Sequence, residues 1–163
     1  MKKEVEKEAR FNPKVFIICL IIVFLVAYLG SLFTSNAVNS SWYEQIKPSI
    51  TPPNYVFPIV WTILFFLIAL SLYFVWIKSS KLEKQKISWV FAINFILNIL
   101  WSYFYFSLKN LKLALFDLIL LWISIAFMIY TTWKIDKKSA YLLIPYLIWV
   151  GFAGILNYLS IIK

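Results

Sequence analysis

The sequence predicts an all-α, polytopic membrane protein: a five-transmembrane-helix bundle forming a single domain over residues 1–163. Three observations predict it. Of the 163 residues, 63% are hydrophobic and only 14% are charged, whereas an ordinary soluble domain carries about 25% charged residues. Mean hydropathy is +0.82. The apolar residues gather into five runs, at 15–33, 57–77, 88–108, 111–133 and 141–162, each near the ~20 residues a helix needs to cross hydrocarbon. None alternates apolar and polar residues as a strand does. Helices also satisfy their own backbone groups in lipid.

The first run could be a signal peptide. Its apolar stretch exceeds the about 7–15 residues of a signal core, its flank mixes Glu with Lys, and Ser35-x-Ala37 is a poor cleavage site, so it is expected to stay as the first span. Cys19 lies within it and is the only cysteine, which excludes an intrachain disulfide.

Residues 34–56 form the longest break between runs and lead into "WYEQIKPSITPPNYVFPIVW", residues 42–61. That length is unusual between adjacent helices. Its prolines fix φ and stiffen the chain, and its aromatics offer flat apolar area with a polar edge. The segment is expected to act as a lid over an aromatic-lined pocket, with a bare connector as the alternative. Pro58 is expected as the first residue of the second helix, where a missing N–H costs nothing.

The third run carries Asn94, Asn98, Trp101, Ser102 and Tyr105 on one helical face. Such a stripe must face other helices. It serves as interhelical hydrogen bonding alone, or as that plus ligand contact. In the fourth run Asp117 is the only acid within any span. An intramembrane carboxylate is either a functional group or a structural hydrogen-bond partner for a neighbouring Trp, Ser or Tyr. The fifth run presents Tyr146, Trp149, Ala153 and Asn157 on one face, with Gly151 and Gly154 leaving room beside it and Pro145 expected within the first turn. Trp76, Trp89 and Trp133 are expected at helix ends as an interfacial belt. A rise of about 1.5 Å per residue puts Trp61, Asn157, Asp117 and Trp101 about 6–10 Å below the end that carries residues 34–56, and Trp149 near the midplane.

Basic residues set the orientation. The N-terminal tail (Lys2, Lys3, Lys7, Arg10, Lys14), the second connection (Lys78, Lys81, Lys84, Lys86) and the fourth (Lys134, Lys137, Lys138) fall on one side. Only Lys47, Lys109, Lys112 and Lys163 fall on the other. The N-terminus is therefore expected in the cytoplasm and the C-terminus outside. The lysines are scattered over short connections and form no nucleic-acid stripe; anionic lipid of the bilayer is partner enough. No His is present, and no Cys-x-x-Cys, phosphate-loop or Gly-x-Ser-x-Gly pattern occurs. Metal-dependent, nucleotide-driven and triad chemistry are thus not expected. With one intramembrane acid and no intramembrane base, neither is an ion-coupled carrier.

Between residues 42 and 158 the chain resembles the translocator protein family (TspO/MBR), also called tryptophan-rich sensory proteins or peripheral-type benzodiazepine receptors. The resemblance is carried by Trp42-Tyr43, Lys47-Pro48-Ser49, Pro52-Pro53 and Val60-Trp61, then by Leu97-Asn98 with Trp101. It continues in Ala114-Leu115 with Asp117-Leu118, then Pro145-Tyr146-Leu147, Trp149, Phe152 and Leu156-Asn157-Tyr158. It implies a homodimer with no obligatory cofactor. The ligand would be a porphyrin of the protoporphyrin or haem type, another tetrapyrrole, a sterol-like lipid or a synthetic benzodiazepine-type compound. The implied binding residues are Trp42, Tyr43, Lys47, Pro48, Ile50, Pro52, Pro53, Trp61, Asn98, Trp101, Asp117, Tyr146, Trp149 and Ala153. A binding protein in tetrapyrrole handling or stress sensing is the leading expectation. Alternatives are a light-dependent porphyrin-degrading enzyme and a porphyrin or lipid transporter. Many members of that family have Trp where Ile50 stands, and Ile can neither stack on a macrocycle as indole does nor exchange electrons with it. Restoring Trp there is expected to strengthen porphyrin binding. Leu156-Asn157-Tyr158 with Lys163 also fits the loose cholesterol motif. The resemblance places the protein in a prokaryotic plasma membrane, or in the mitochondrial outer membrane for a eukaryotic source.

Overall fold

The computed structural model describes residues 11–163; Lys2, Lys3, Lys7 and Arg10, four of the residues used for the orientation, lie outside them. Among the described residues five helices are long and apolar enough to cross a membrane. Helix α1 spans Pro13–Thr34 and is capped by the Asn12 side chain, with Pro at its start. The Asn12 N–H donates to Tyr73 Oη at 2.9 Å, and Phe16 packs edge-on against the Tyr73 ring. These contacts tie the start of α1 to the third helix.

Residues 34–56 are more structured than a stiff lid. They hold a 3-10 turn, Ala37–Asn39, and a short helix α2, Ser41–Ile46. Ser40 caps α2 by accepting the Tyr43 N–H at 3.2 Å. Helix α3 spans Val56–Lys78, so Pro58 is its third residue and not its first. The first-turn N–H groups have no helical acceptor in any case, so the proline is tolerated there equally well.

Helix α4 spans Lys81–Ser102 and begins well before residue 88, because Ser80 and Glu83 form a capping box that extends it into a polar first turn. A hydropathy window sees only the apolar part. At its far end α4 continues into a π-helical turn, Tyr103–Ser107. Lys109 then takes φ 51°, the left-handed reversal that turns the chain, and Asn110 caps α5, Leu111–Trp133. Helix α6 spans Lys137–Ile162 from an N-cap at Asp136. Pro145 is therefore interior to α6 rather than in its first turn. It leaves the Tyr141 carbonyl without its helical donor.

Helix α1 packs on α3 and α4, α3 on α6, α6 on α5, and α5 on α4, which closes a ring. Ile68, Ile87, Leu121, Ile125, Met128 and Leu143 fill its interior away from the 34–56 connection. At that far end Lys78 Nζ donates to Asp136 Oδ1 at 2.7 Å. Asp136 Oδ2 accepts from the Ser139 N–H at 3.1 Å and from its hydroxyl at 2.8 Å. Burial pushes the Asp136 carboxyl up, but the hydrogen bonds from Lys78 and Ser139 outweigh it and hold the group below its ordinary value. A carboxyl whose pKa is lowered on folding contributes stability that is present above its unfolded pKa, about 3.9, and is lost as pH falls through the folded value. Asp136→Asn keeps the cap but loses the ionic partner. It is expected to lower stability by about 1 kcal/mol at neutral pH, since Lys78 is half-exposed and screened. In thermal melts across pH the difference from wild type should vanish at acid pH, where the native carboxyl is protonated too.

Candidate functional site: a charge-free cavity beneath the α1–α3 connection

A cavity of about 540 Å³ lies inside the ring at the end that carries the α1–α3 connection. That volume suits a small-molecule ligand, for which pockets run about 300–1,000 Å³. Each wall follows from helical spacing. Ala27, Gly30, Ser31 and Thr34 of α1 share one face, and their small side chains leave the space open. A Cβ added at Gly30 would stand 3.6 Å from Ser102 Oγ, so the two helices approach closely there. Helix α3 supplies Phe57, Trp61 and Phe65, one turn apart. Asn98, Trp101 and Ser102 come from α4, Tyr105 and Phe106 from the π-helical turn, and Ala153, Leu156 and Asn157 from α6. The roof is made by Val38, Asn39, Tyr43, Asn54 and Tyr55. Asn54 Nδ2 donates to the Val38 carbonyl at 3.0 Å, tying the segment after the paired prolines to the 3-10 turn.

Polar side chains bridge α4 to α5 and α6 across the interior. Asn98 Nδ2 donates to Tyr146 Oη at 3.0 Å, and that hydroxyl donates to Asn94 Oδ1 at 3.3 Å. Asn94 Nδ2 donates in turn to Ser124 Oγ at 2.8 Å. Nearer the roof, Trp101 Nε1 donates to Asn157 Oδ1 at 3.3 Å and Asn157 Nδ2 to the Leu111 carbonyl at 2.9 Å. Tyr105 Oη and Ser160 Oγ hydrogen-bond at 3.0 Å. The amide stripe of α4 therefore holds the bundle together, while Asn98, Trp101, Ser102 and Tyr105 also face the cavity.

The residues singled out from sequence separate into groups. Tyr43, Trp61, Asn98, Trp101 and Ala153 line the cavity. Tyr146 stands behind the wall, buried, with its ring edge-on to Trp61 at 6.1 Å between centroids. Trp149 packs edge-on against Phe57 at 5.9 Å, and its buried Nε1 has no hydrogen-bond partner. Asp117 is 4% exposed, and its Oδ2 is also unpartnered; the Trp, Ser or Tyr donor expected from sequence does not reach that atom. Trp42 packs on Tyr105 at 6.1 Å, with Lys109 Nζ 5.3 Å from its ring centre.

Lys47, Pro48 and Ile50 line a different, more open groove of about 500 Å³, together with Leu159, Ile162 and Lys163. There Lys47 Nζ pairs with Glu44 at 2.6 Å and the Lys47 carbonyl accepts from Lys163 Nζ at 2.7 Å. Pro52 and Pro53 line neither space. Ile50 is 54% exposed, which removes the geometric basis for the stacking effect expected of Trp at this position. Ile50→Trp is now expected to change the affinity of a cavity ligand by no more than about twofold, because an exposed change away from the site acts within about 0.5 kcal/mol. Equilibrium titration of the variant checks this.

Sequence reasoning missed the α1 wall, the roof residues Asn39, Asn54 and Tyr55, and Phe57 and Phe65 of α3. Two signals could have found them. The small residues at 27, 30, 31 and 34 recur at helical spacing in an otherwise bulky span, and Phe57, Trp61 and Phe65 recur every fourth residue.

A closed ring of five transmembrane helices around a cavity lined by aromatics, amides and hydroxyls defines a multi-pass integral membrane protein with an open space inside its bundle. The chain belongs to the TspO/MBR family, which it matches over residues 18–162. It is 39% identical over 143 residues to the "Tryptophan-rich protein TspO" of Bacillus cereus, covering 85% of this chain and 92% of that one. It is 37% identical over 144 residues to the protein of the same name from Chlorobaculum tepidum, covering 86% and 90%. To the "Tryptophan-rich sensory protein" of Cereibacter sphaeroides it is 32% identical over 143 residues, covering 85% and 87%.

Proposed function

We propose that the protein binds a flat, amphipathic small molecule, a tetrapyrrole or a sterol-like lipid, in the cavity beneath the α1–α3 connection, and that it serves tetrapyrrole handling or stress sensing. The cavity carries this reading: its long walls are Phe57, Trp61, Phe65 and Trp101, with polar atoms at intervals between them. Aromatic faces suit a flat apolar body, and each stacked or edge-on pair is worth about 0.5–1.5 kcal/mol beyond area burial. Placement inside the membrane domain suits a ligand that partitions into lipid. The word "sensory" in the name of the Cereibacter sphaeroides relative agrees with a binding role. Catalysis is no part of this reading, because Asn98, Trp101 and Asn157 are engaged in hydrogen bonds within the protein and the only intramembrane acid, Asp117, does not line the cavity.

Quenching of tryptophan fluorescence in nanodiscs by a panel of tetrapyrroles and sterols tests the reading. Saturable quenching by at least one of them is expected, because Trp61 and Trp101 face the cavity. Quenching that rises without saturation, as in simple partition into lipid, would contradict it.

A further inference from the structure

We infer that the cavity takes its ligand as an uncharged molecule, so that a tetrapyrrole enters with its carboxyl groups esterified or protonated in preference to the free dicarboxylate. The inference rests on the binding reading above and narrows the ligand class. Its first ground is composition: among the described residues no Asp, Glu, Lys or Arg lines the cavity. Its second is the mouth. The lining residues that remain exposed are Ser31, Ser35, Asn39, Tyr55 and Pro58, which puts the opening between the end of α1 and the start of α3. The flanking segments, 15–43 and 48–77, hold no charged residue at all. A carboxylate left at the mouth would find no cation from either side.

Of the four lysines at this end, Lys112 does not line the cavity and the other three have partners of their own. Lys47 pairs with Glu44, Lys163 donates to the Lys47 carbonyl, and Lys109 lies over Trp42. None of the three lines the cavity. Three of the four lining amides are engaged as well: Asn54, Asn98 and Asn157 each donate to a protein oxygen. An ionised carboxylate taken from water into such surroundings loses its hydration and gains no cation and few donors, which disfavours its entry. A neutral ester or acid is disfavoured far less.

Protoporphyrin and its dimethyl ester share one macrocycle and differ at the two carboxyl groups. Both are titrated into the protein in nanodiscs of zwitterionic lipid at neutral pH, with the Ala153→Phe variant, whose new ring occupies the cavity, measuring partition and binding elsewhere. The cavity-specific signal is expected to be at least about tenfold tighter for the ester, close to 1.4 kcal/mol. The ratio should narrow as pH falls toward the carboxylic acid range, about 4–5. Ser35→Lys or Asn39→Lys, placing a cation at the mouth, should tighten the dicarboxylate relative to the ester and so narrow or reverse the ratio. A dicarboxylate that binds the wild type as tightly as the ester, or a ratio that neither lysine shifts, overturns the inference and leaves the binding reading standing. Absence of any saturable, Ala153-sensitive signal from either compound defeats the binding reading itself.

Discussion

Replacing Ala153 with Phe abolishes saturable binding in the cavity while the bundle stays folded. Ala153 sits one turn before Asn157 on α6, and both line the cavity across from the small-residue face of α1. A benzyl group at this position projects into empty space bounded by Trp61 and Trp101, where the ligand body would lie. The expected loss is at least about a hundredfold in affinity, about 2.7 kcal/mol. The melting temperature should change little, because the new ring enters a void and does not overpack a filled core. Titration of the variant beside its thermal melt separates the two effects. Unchanged affinity would place the ligand elsewhere.

The largest loss of stability is expected at Tyr146. This side chain is 1% exposed, its hydroxyl joins Asn98 to Asn94, and its ring meets Trp61 edge-on. Tyr146→Ala removes a buried ring and leaves a void, at a cost of about 3–5 kcal/mol. Tyr146→Phe keeps the ring but leaves the amides of Asn94 and Asn98 each short of a partner, at about 1–2 kcal/mol. Because Asn98 and Trp61 are cavity walls, Tyr146→Phe should also weaken ligand binding by about threefold to tenfold, equivalent to about 1 kcal/mol. Thermal unfolding in detergent measures the first effect and ligand titration the second. A Tyr146→Phe protein as stable as wild type would show that the α4–α6 polar contacts do not hold the ring together.

The five spans were legible because apolar run length reports them directly, and the interior amides were legible because an Asn in a span has to face protein. The starts of α4 and α6 were not, since the Ser80–Glu83 capping box and the Asp136 cap extend each helix into polar sequence that hydropathy discounts. That offset also displaced Pro145 from a first turn into a helix interior. Helix α2 was hidden for a similar reason: a helix of six residues, capped by Ser40, is too brief to show periodicity. For the site, aromatic and amide residues on a shared face identified the α4 wall and parts of α3 and α6. The α1 wall escaped because a cavity is made by what is small, and Ala27, Gly30 and Ser31 carry no chemistry that draws notice. Ile50 was misplaced because nearness in sequence to Trp61 says nothing of which groove a loop residue faces.

The central claim is that ligand lies inside the ring at the connection end. Photo-crosslinking with a neutral porphyrin ester that carries a diazirine, followed by mapping of the labelled residues, tests it most directly. Labels are expected on the 27–34 face of α1, on Tyr55, Phe57, Trp61 and Phe65, on Trp101, Ser102, Tyr105 and Phe106, and on Ala153, Leu156 and Asn157, all suppressed in Ala153→Phe. Labels confined to residues 47–51 and 159–163, or spread over the lipid-facing surfaces of α3 and α5, would contradict it.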